Sequence, residues 1–329
     1  MVVAEFDLIE VIRARCVVNR ADVRLGIGDD AAVLAVAAGH ELVVSIDTLV
    51  AGVHFPIATC ANDLGWKALA VNLSDLAAMG ATPAWALLAL TLPNAERGFV
   101  EGFAEGFAEL AAQHRVALVG GDTTRGSLAV SVVVHGFVPP GQALRRDGAQ
   151  VGDLVFVTGT LGDAAAGLRC LDPRDAQAHA LFHAPADTRE SLLARLNRPT
   201  PRTAAGISLR EFASACIDVS DGLCADLGHI ANQSGVGIEI DASLLPASSA
   251  LLTLFDEADR IALQASGGDD YELVFTASPA REAGLLRDLA RLGCGVTRIG
   301  RVVAGDGVRL LDDDGAEIML RRRGWEHFA

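Results

Sequence analysis

Asn62–Met79 reads NDLGWKALAVNLSDLAAM, and its spacing decides the fold class. Trp66, Leu69, Ala70, Leu73 and Leu76 recur every three or four residues, which predicts an amphipathic helix over 62–79. Short β-branched runs lie on either side. ELVVSI (Glu41–Ile46) is predicted to be a strand ending at Asp47, and VALV (Val116–Val119) a strand leading into Gly120, Gly121 and Asp122. A second helix is predicted over 101–114, and LAVSVVV (Leu128–Val134) forms a further strand. Strands alternating with helices give an α/β (α+β) chain.

Pro139, Pro140 and Gly141 punctuate the pattern, and DLVFVT (Asp153–Thr158) opens a new strand. We therefore expect two domains, 1–140 and 150–329. The second contains a Pro-interrupted polar stretch over 172–202 and the run Cys216–Val219 entering Ser220, Asp221 and Gly222. A strand over Tyr271–Thr276 follows SGGDD. No fixed repeat of the kind that builds solenoids is present.

With 329 residues, 51% of them hydrophobic, the chain can bury large cores. Its longest apolar stretches, such as 85–92 and 128–134, fall short of the roughly 18 to 20 residues that span a bilayer. The beginning, MVVAEFDLIE, has early acids and neither a basic segment nor an apolar run of the signal-peptide kind, so a cytoplasmic location is expected. The six cysteines form no C-x-x-C pair and read as reduced, small apolar fillers. A net charge of −15 argues against nucleic-acid binding, which needs clustered Lys and Arg. Solubility or salt adaptation would produce the same acidity.

Asp29, Asp30, Asp47, Asp75, Asp122, Asp218, Asp221 and Asp269 stand at the ends of apolar runs, most beside glycine. The chain has a single lysine, Lys67, so neither a P-loop nor the protein-kinase lysine is present. Carboxylates repel polyphosphate unless divalent cations lie between them, and hard oxygen ligands suit Mg²⁺, which bridges one or two carboxylates to phosphates. Each motif has an ordinary alternative. GIGDD (Gly26–Asp30) has the composition of a simple Gly-Asp turn. Asp47 has that of a helix cap, and His54 that of a structural histidine. Asn72 and Asp75 share a helix face on which an exposed Asp is commonplace. Gly120–Thr124 (GGDTT) offers a flexible phosphate-binding loop. In Asp218–Gly222 (DVSDG) a strand-to-helix junction would present backbone N–H groups to an anion, or simply carry an N-cap pair. Arg145 and Arg146 form either a phosphate clamp or a surface pair. Asp312–Gly315 (DDDG) lacks the spacing of an EF-hand and reads as a hairpin turn.

In this order the motifs resemble the thiamine-monophosphate kinase family, within the superfamily of aminoimidazole ribonucleotide synthetase and selenophosphate synthetase. The resemblance spans nearly the whole chain through GIGDDAAV, SIDTLVAGVHF, KALAVNLSDLAAMGATP, LVGGDTTRG, DVSDGL, SGGDDYEL and GWEHF. It implies an N-terminal sheet with helices that binds ATP and metal and builds a homodimer, and a C-terminal α/β sandwich that completes the substrate site. It implies several Mg²⁺ ions around Asp30, Ser45, Ile46, Asp47, Asp75, Asp122, Asp218 and Asp221, with Ile46 acting through its backbone. Gly121, Asp122, Arg146 and Ser220 match positions contacting ATP, and His54, Asp269 and Trp325 positions contacting thiamine monophosphate. Threonine is common where Ile46 stands and glutamate where Asp269 stands. The implied activity is ATP-dependent phosphorylation of thiamine monophosphate, the last step of thiamine diphosphate biosynthesis, by direct in-line transfer. Within the superfamily, a selenophosphate synthetase would carry a reactive Cys in an N-terminal Gly-rich loop, whereas Cys16 lies in RARCVVN. A non-enzymatic rival would bind divalent ions without transferring phosphate.

Overall fold

The computed structural model describes residues 5–171 and 185–327. These form two compact units, one of residues up to 76 together with 81–143, the other of 77–80 together with 144 onward. In the first, α1 (Glu5–Arg15), β1 (Val23–Leu25) and β2 (Val33–Leu34) precede β3 (Glu41–Val50), α2 (Ala61–Ala78), β4 (Thr82–Leu92), α3 (Arg97–His114), β5 (Ala117–Arg125) and β6 (Ala129–Val138). The sheet order is β3-β6-β4-β5, with β4 and β5 parallel and the other pairs antiparallel.

The predicted face of α2 is the buried one, with Leu69, Leu73 and Leu76 wholly enclosed. Phe103, Phe107 and Leu110 of α3 are buried as well. The two helices approach backbone to backbone: a Cβ added at Gly65 would lie 1.9 Å from the Phe103 carbonyl oxygen, and one at Gly106 would lie 1.8 Å from that of Asn62. No side chain fits at either position.

Three sequence expectations need correction. β3 does not stop before Asp47 but continues to Val50, because its pairing with β6 runs unbroken from Glu41 to Val50. Gly120–Thr124 is not a loop but part of β5, whose parallel pairing with β4 extends to Arg125 after a bulge near Leu87. Tertiary pairing overrides the local turn signal at both aspartates. The stretch read as polar and Pro-interrupted contains a helix over Ala186–Asn197, and 172–184 lies outside the described residues.

The second unit comprises β7 (Leu154–Thr158), α4 (Asp163–Arg169), α5 (Ala186–Asn197), α6 (Thr203–Leu209), β8 (Ala213–Asp218), α7 (Leu223–Ser234), β9 (Gly237–Asp241), α8 (Ser249–Leu254), α9 (Glu257–Ser266), β10 (Leu273–Ala277), α10 (Glu282–Arg291), β11 (Val296–Val303) and β12 (Val308–Leu311). The sheet order is β12-β9-β11-β7-β10-β8. Alternation along β7 sends Val155 and Val157 into one core with Leu227 and Ile230 of α7. Phe156 enters the other core, with Phe275, Leu209, Leu285 and Leu289. Phe156 and Phe275 stack with ring centroids 5.5 Å apart. Both sheet faces are therefore covered, giving the α/β sandwich expected. The turn at Asp312–Gly315 also forms, with Asp312 Oδ1 accepting the Ala316 N–H at 2.8 Å. Cys16, Cys216, Cys224 and Cys294 are buried as fillers, but Cys60 is exposed.

In the N-terminal unit, Val18, Val23, Ala32 and Leu34 pack on Trp85, Val119 and Phe137. Asp22 latches this cover in place. Trp85 Nε1–H donates to Asp22 Oδ1 at 3.2 Å, while Arg20 donates to both carboxylate oxygens at 2.9 and 2.6 Å. The Arg20 hydrogen bonds hold the Asp22 carboxyl below its ordinary range, against the opposing effect of burial. Because the folded pKa is depressed, this stabilisation is present above the unfolded value near 4 and is lost as pH falls through the folded one. Asp22→Asn should cost about 1 kcal/mol in urea unfolding at pH 7, a value reduced for partial exposure, and the difference from wild type should vanish toward pH 2. A penalty independent of pH would show that the ionised carboxylate is not what matters.

Candidate active site

Along β3, alternation projects Ser45 and Asp47 to one side and Ile46 to the other. On the first side they meet α2. Asn72 Oδ1 accepts the Asp47 backbone N–H at 2.9 Å, and Ser45 Oγ donates to Asp75 Oδ2. The shared helix face of Asn72 and Asp75 thus docks on the strand that carries Asp47. On the other side, Ile46 lines a cleft of about 1030 Å³ with Asp29, Asp30, Gly121 and Asp122. Gly121 is obligatory there, since a Cβ would lie 1.9 Å from the Leu88 carbonyl oxygen. His54 sits in the turn after β3, where its Nδ1 accepts the Val50 N–H at 3.0 Å, placing the ring proton on Nε2. The N-terminal candidates fall into these two groups, one on each side of β3, with His54 beyond.

In the C-terminal unit, Asp218 ends β8 and is buried, while Ser220 and Asp221 occupy the turn before α7 and are half-buried. Asp269 N–H donates to the Ser220 carbonyl at 2.8 Å, and Trp325 N–H to that of Asp221 at 2.9 Å. Four predicted positions, Ser220, Asp221, Asp269 and Trp325, thereby form one cluster. Burial raises the Asp221 carboxyl, the Asp269 charge adds to the rise, and His327 and His229 oppose it. Arg146 is exposed, and its neighbour Arg145 is held by Asp147 at 2.8 and 2.5 Å, so the pair does not act as one clamp.

Of the two readings of this junction, an anion site or a cap, the backbone N–H groups of the turn before α7 favour the cap. Those of Ser220, Asp221 and Gly222 all donate to Asp226 Oδ2, at 3.1, 3.1 and 3.0 Å. Asp226 is only 2% exposed, and burial pushes its carboxyl up to about 7 although the three N–H donors pull it down. Two further acids anchor the neighbouring segment. Asp270 accepts the Gly162 N–H at 2.7 Å, and burial raises its carboxyl well above the usual range. Glu272, wholly buried, accepts from Arg202 at 2.6 and 2.6 Å, from Arg195 at 2.9 Å and from Thr158 Oγ1 at 2.7 Å. Sequence reasoning missed all three. For Asp270 and Glu272 the one available signal was DDYE itself, an acidic pair and a third acid immediately before an apolar strand.

Residues 28–138 match the family model of the AIR synthase related protein N-terminal domain, and residues 150–313 that of its C-terminal domain. A thiamine-monophosphate kinase from Escherichia coli (strain K12) is 45% identical over 329 residues, covering 100% of this chain and 99% of that protein. The chain belongs to the thiamine-monophosphate kinase family. A crystal structure of thiamine-monophosphate kinase from Stenotrophomonas maltophilia K279a superposes with a TM-score of 0.87 at 53% identity, covering 97% of this chain and 99% of that one. AaThiL complexed with AMPPCP and TMP superposes with a TM-score of 0.75 at 34% identity, covering 99% of this chain and 97% of that one.

For a kinase family that handles phosphates, the donor chemistry around β3 is apt for magnesium: a hydroxyl, an amide oxygen and two carboxylates, with no thiolate or imidazole among them. Among the described residues no group of three acidic, His or Cys side chains is assembled that would hold an ion unaided. Magnesium ordinarily takes one or two carboxylates and completes its shell with water and substrate phosphate. The Ser45, Asp47, Asn72 and Asp75 set fits that pattern.

Asp226→Ala should leave three N–H groups without their acceptor and lower stability by about 2–4 kcal/mol, while Asp226→Asn, which keeps an oxygen there, should lose less. Hydrogen exchange by mass spectrometry should report the loosening as faster exchange across 220–222. Unchanged protection in Asp226→Ala would remove Asp226 from the role of anchor.

Proposed function

We propose that this protein transfers the γ-phosphoryl group of ATP directly to the phosphate of thiamine monophosphate, giving thiamine diphosphate and ADP. Full-length likeness to thiamine-monophosphate kinases supports the reading, as does the neighbour complexed with AMPPCP and TMP. The observation that carries it is the hard-oxygen donor set on β3 and α2, beside a cleft lined by Asp30, Gly121 and Asp122, in a chain with one lysine. Bound Mg²⁺ would neutralise phosphate charge that basic side chains neutralise elsewhere.

The residue roles are those that the family resemblance implies. Asp30, Ser45, Asp47, Asp75 and Asp122, together with the Ile46 backbone, are assigned to metal in the N-terminal unit, and Asp218 and Asp221 in the C-terminal unit. Gly121 and Asp122 are assigned to ATP, as are Arg146 and Ser220. His54, Asp269 and Trp325 are assigned to the acceptor, whose thiazolium cation suits a carboxylate and an aromatic face. A phosphate monoester has a second pKa near 6, so its attacking oxygen is already deprotonated at neutral pH. The protein then needs no general base, and in-line positioning with charge neutralisation suffices.

A homodimer is part of this reading. Edge strand β3 presents Leu42, Val44 and Ile46 at 43%, 53% and 60% exposure, an apolar stripe suited to a second copy of the chain. Use of ATP goes with a cytoplasmic location. Among the described residues no helix is long and apolar enough to cross a membrane.

Incubation with ATP, Mg²⁺ and thiamine monophosphate should yield thiamine diphosphate, with none from thiamine offered in parallel. Asp122→Ala should reduce turnover by about a hundredfold or more while the protein stays folded. Tight Mg·ATP binding with no diphosphate formed would assign the site to another acceptor. Sedimentation should give twice the 34.2 kDa chain mass, and Val44→Glu should shift it to one chain. A wild-type monomer would refute the dimer.

A further inference from the structure

Asp269 and Tyr271 both hold left-handed backbone conformations, with φ of 68° and 50°. For a buried aromatic residue this is a conformational outlier, maintained only where its surroundings enforce it. The enforcement is visible at the alternate positions. Asp270 is tied to the start of α4, and Glu272 to Arg195 and Arg202, so the backbone between them has no freedom to relax. Tyr271 N–H donates to the Val219 carbonyl at 2.8 Å, clasping the segment to the Ser220–Asp221 turn. This contortion brings the phenol to the carboxylate two residues back, and Tyr271 Oη–H donates to Asp269 Oδ1 at 3.1 Å.

We propose that Tyr271 is a positioning residue for the acceptor, fixing the rotation of the Asp269 carboxylate that faces the thiazolium cation. The inference rests on the assignment of Asp269 above. Donation from a neutral phenol restrains the carboxylate without removing its charge, so the cation meets a pre-aimed partner and less conformational entropy is lost on binding. Phenylalanine at the same position would keep the buried ring and the backbone path while releasing the carboxylate.

Tyr271→Phe should raise the Kd for thiamine monophosphate, titrated calorimetrically in the presence of Mg²⁺ and a non-hydrolysable ATP analogue, by about tenfold. KM for thiamine monophosphate should rise in parallel, with kcat and KM for ATP within about twofold of wild type. Asp269→Asn should weaken the same binding, and adding Tyr271→Phe to it should weaken it no further, because the phenol acts through the carboxylate. Tyr271 is the only tyrosine in the chain, so 3-fluorotyrosine incorporation gives one ¹⁹F resonance, which should move when thiamine monophosphate binds. Unchanged acceptor affinity in Tyr271→Phe, with loss in Asp269→Asn, would overturn the positioning role alone. Unchanged affinity in both would overturn the assignment of Asp269 itself.

Discussion

A carboxylate withdrawn from water must be paired, hydrogen-bonded or neutralised, and the C-terminal unit is arranged around three that meet this condition. Asp226 gathers the N–H groups of Ser220, Asp221 and Gly222, Asp270 takes that of Gly162, and Glu272 holds two arginines and a threonine. Asp226 holds the Ser220–Asp221 turn directly, whereas Asp270 and Glu272 tie the segment that bears Asp269 to Gly162, Arg195 and Arg202. Removing Glu272 alone would leave Arg195 and Arg202 as partly buried cations without their anion, which is costlier than never having had the pair. The Ser220–Asp221 turn and the Asp269 segment are therefore held by hydrogen bonds to enclosed acids as well as by apolar packing around Val219, and they are joined to each other by the bond from Asp269 N–H to the Ser220 carbonyl.

Helix α2 was legible because its period is local: Leu69, Leu73 and Leu76 occupy the buried face that spacing assigned to them. The α/β class was legible for the same reason. The ends of β3 and β5 were not. Asp47 and Gly120–Thr124 look like turn chemistry, yet each is carried through by pairing with a strand far along the chain, β6 in one case and β4 in the other. Of the candidate site, the clustering of Asp269 with Ser220 and Asp221 came only through family resemblance. Glycine and acid composition makes Asp269 and Asp270 equivalent, whereas the structure buries one and leaves the other half-buried. Asp270 has a partner for its carboxylate in the Gly162 N–H, 108 residues away, and no periodicity reports such a partner.

The acids of this chain accordingly divide into two kinds. Asp226, Asp270 and Glu272 are enclosed and have their partners inside the protein. Asp29, Asp30 and Asp122 are exposed and line an open cleft. An exposed carboxylate exchanges water for another partner at little cost, whereas Asp226, Asp270 and Glu272 would have to surrender bonds that hold the fold. The scarcity of lysine sharpens the contrast, since the one lysine, Lys67, is 1% exposed. The enclosed acids set backbone in the C-terminal unit alone, where they fix the Ser220–Asp221 turn and the segment that bears Asp269.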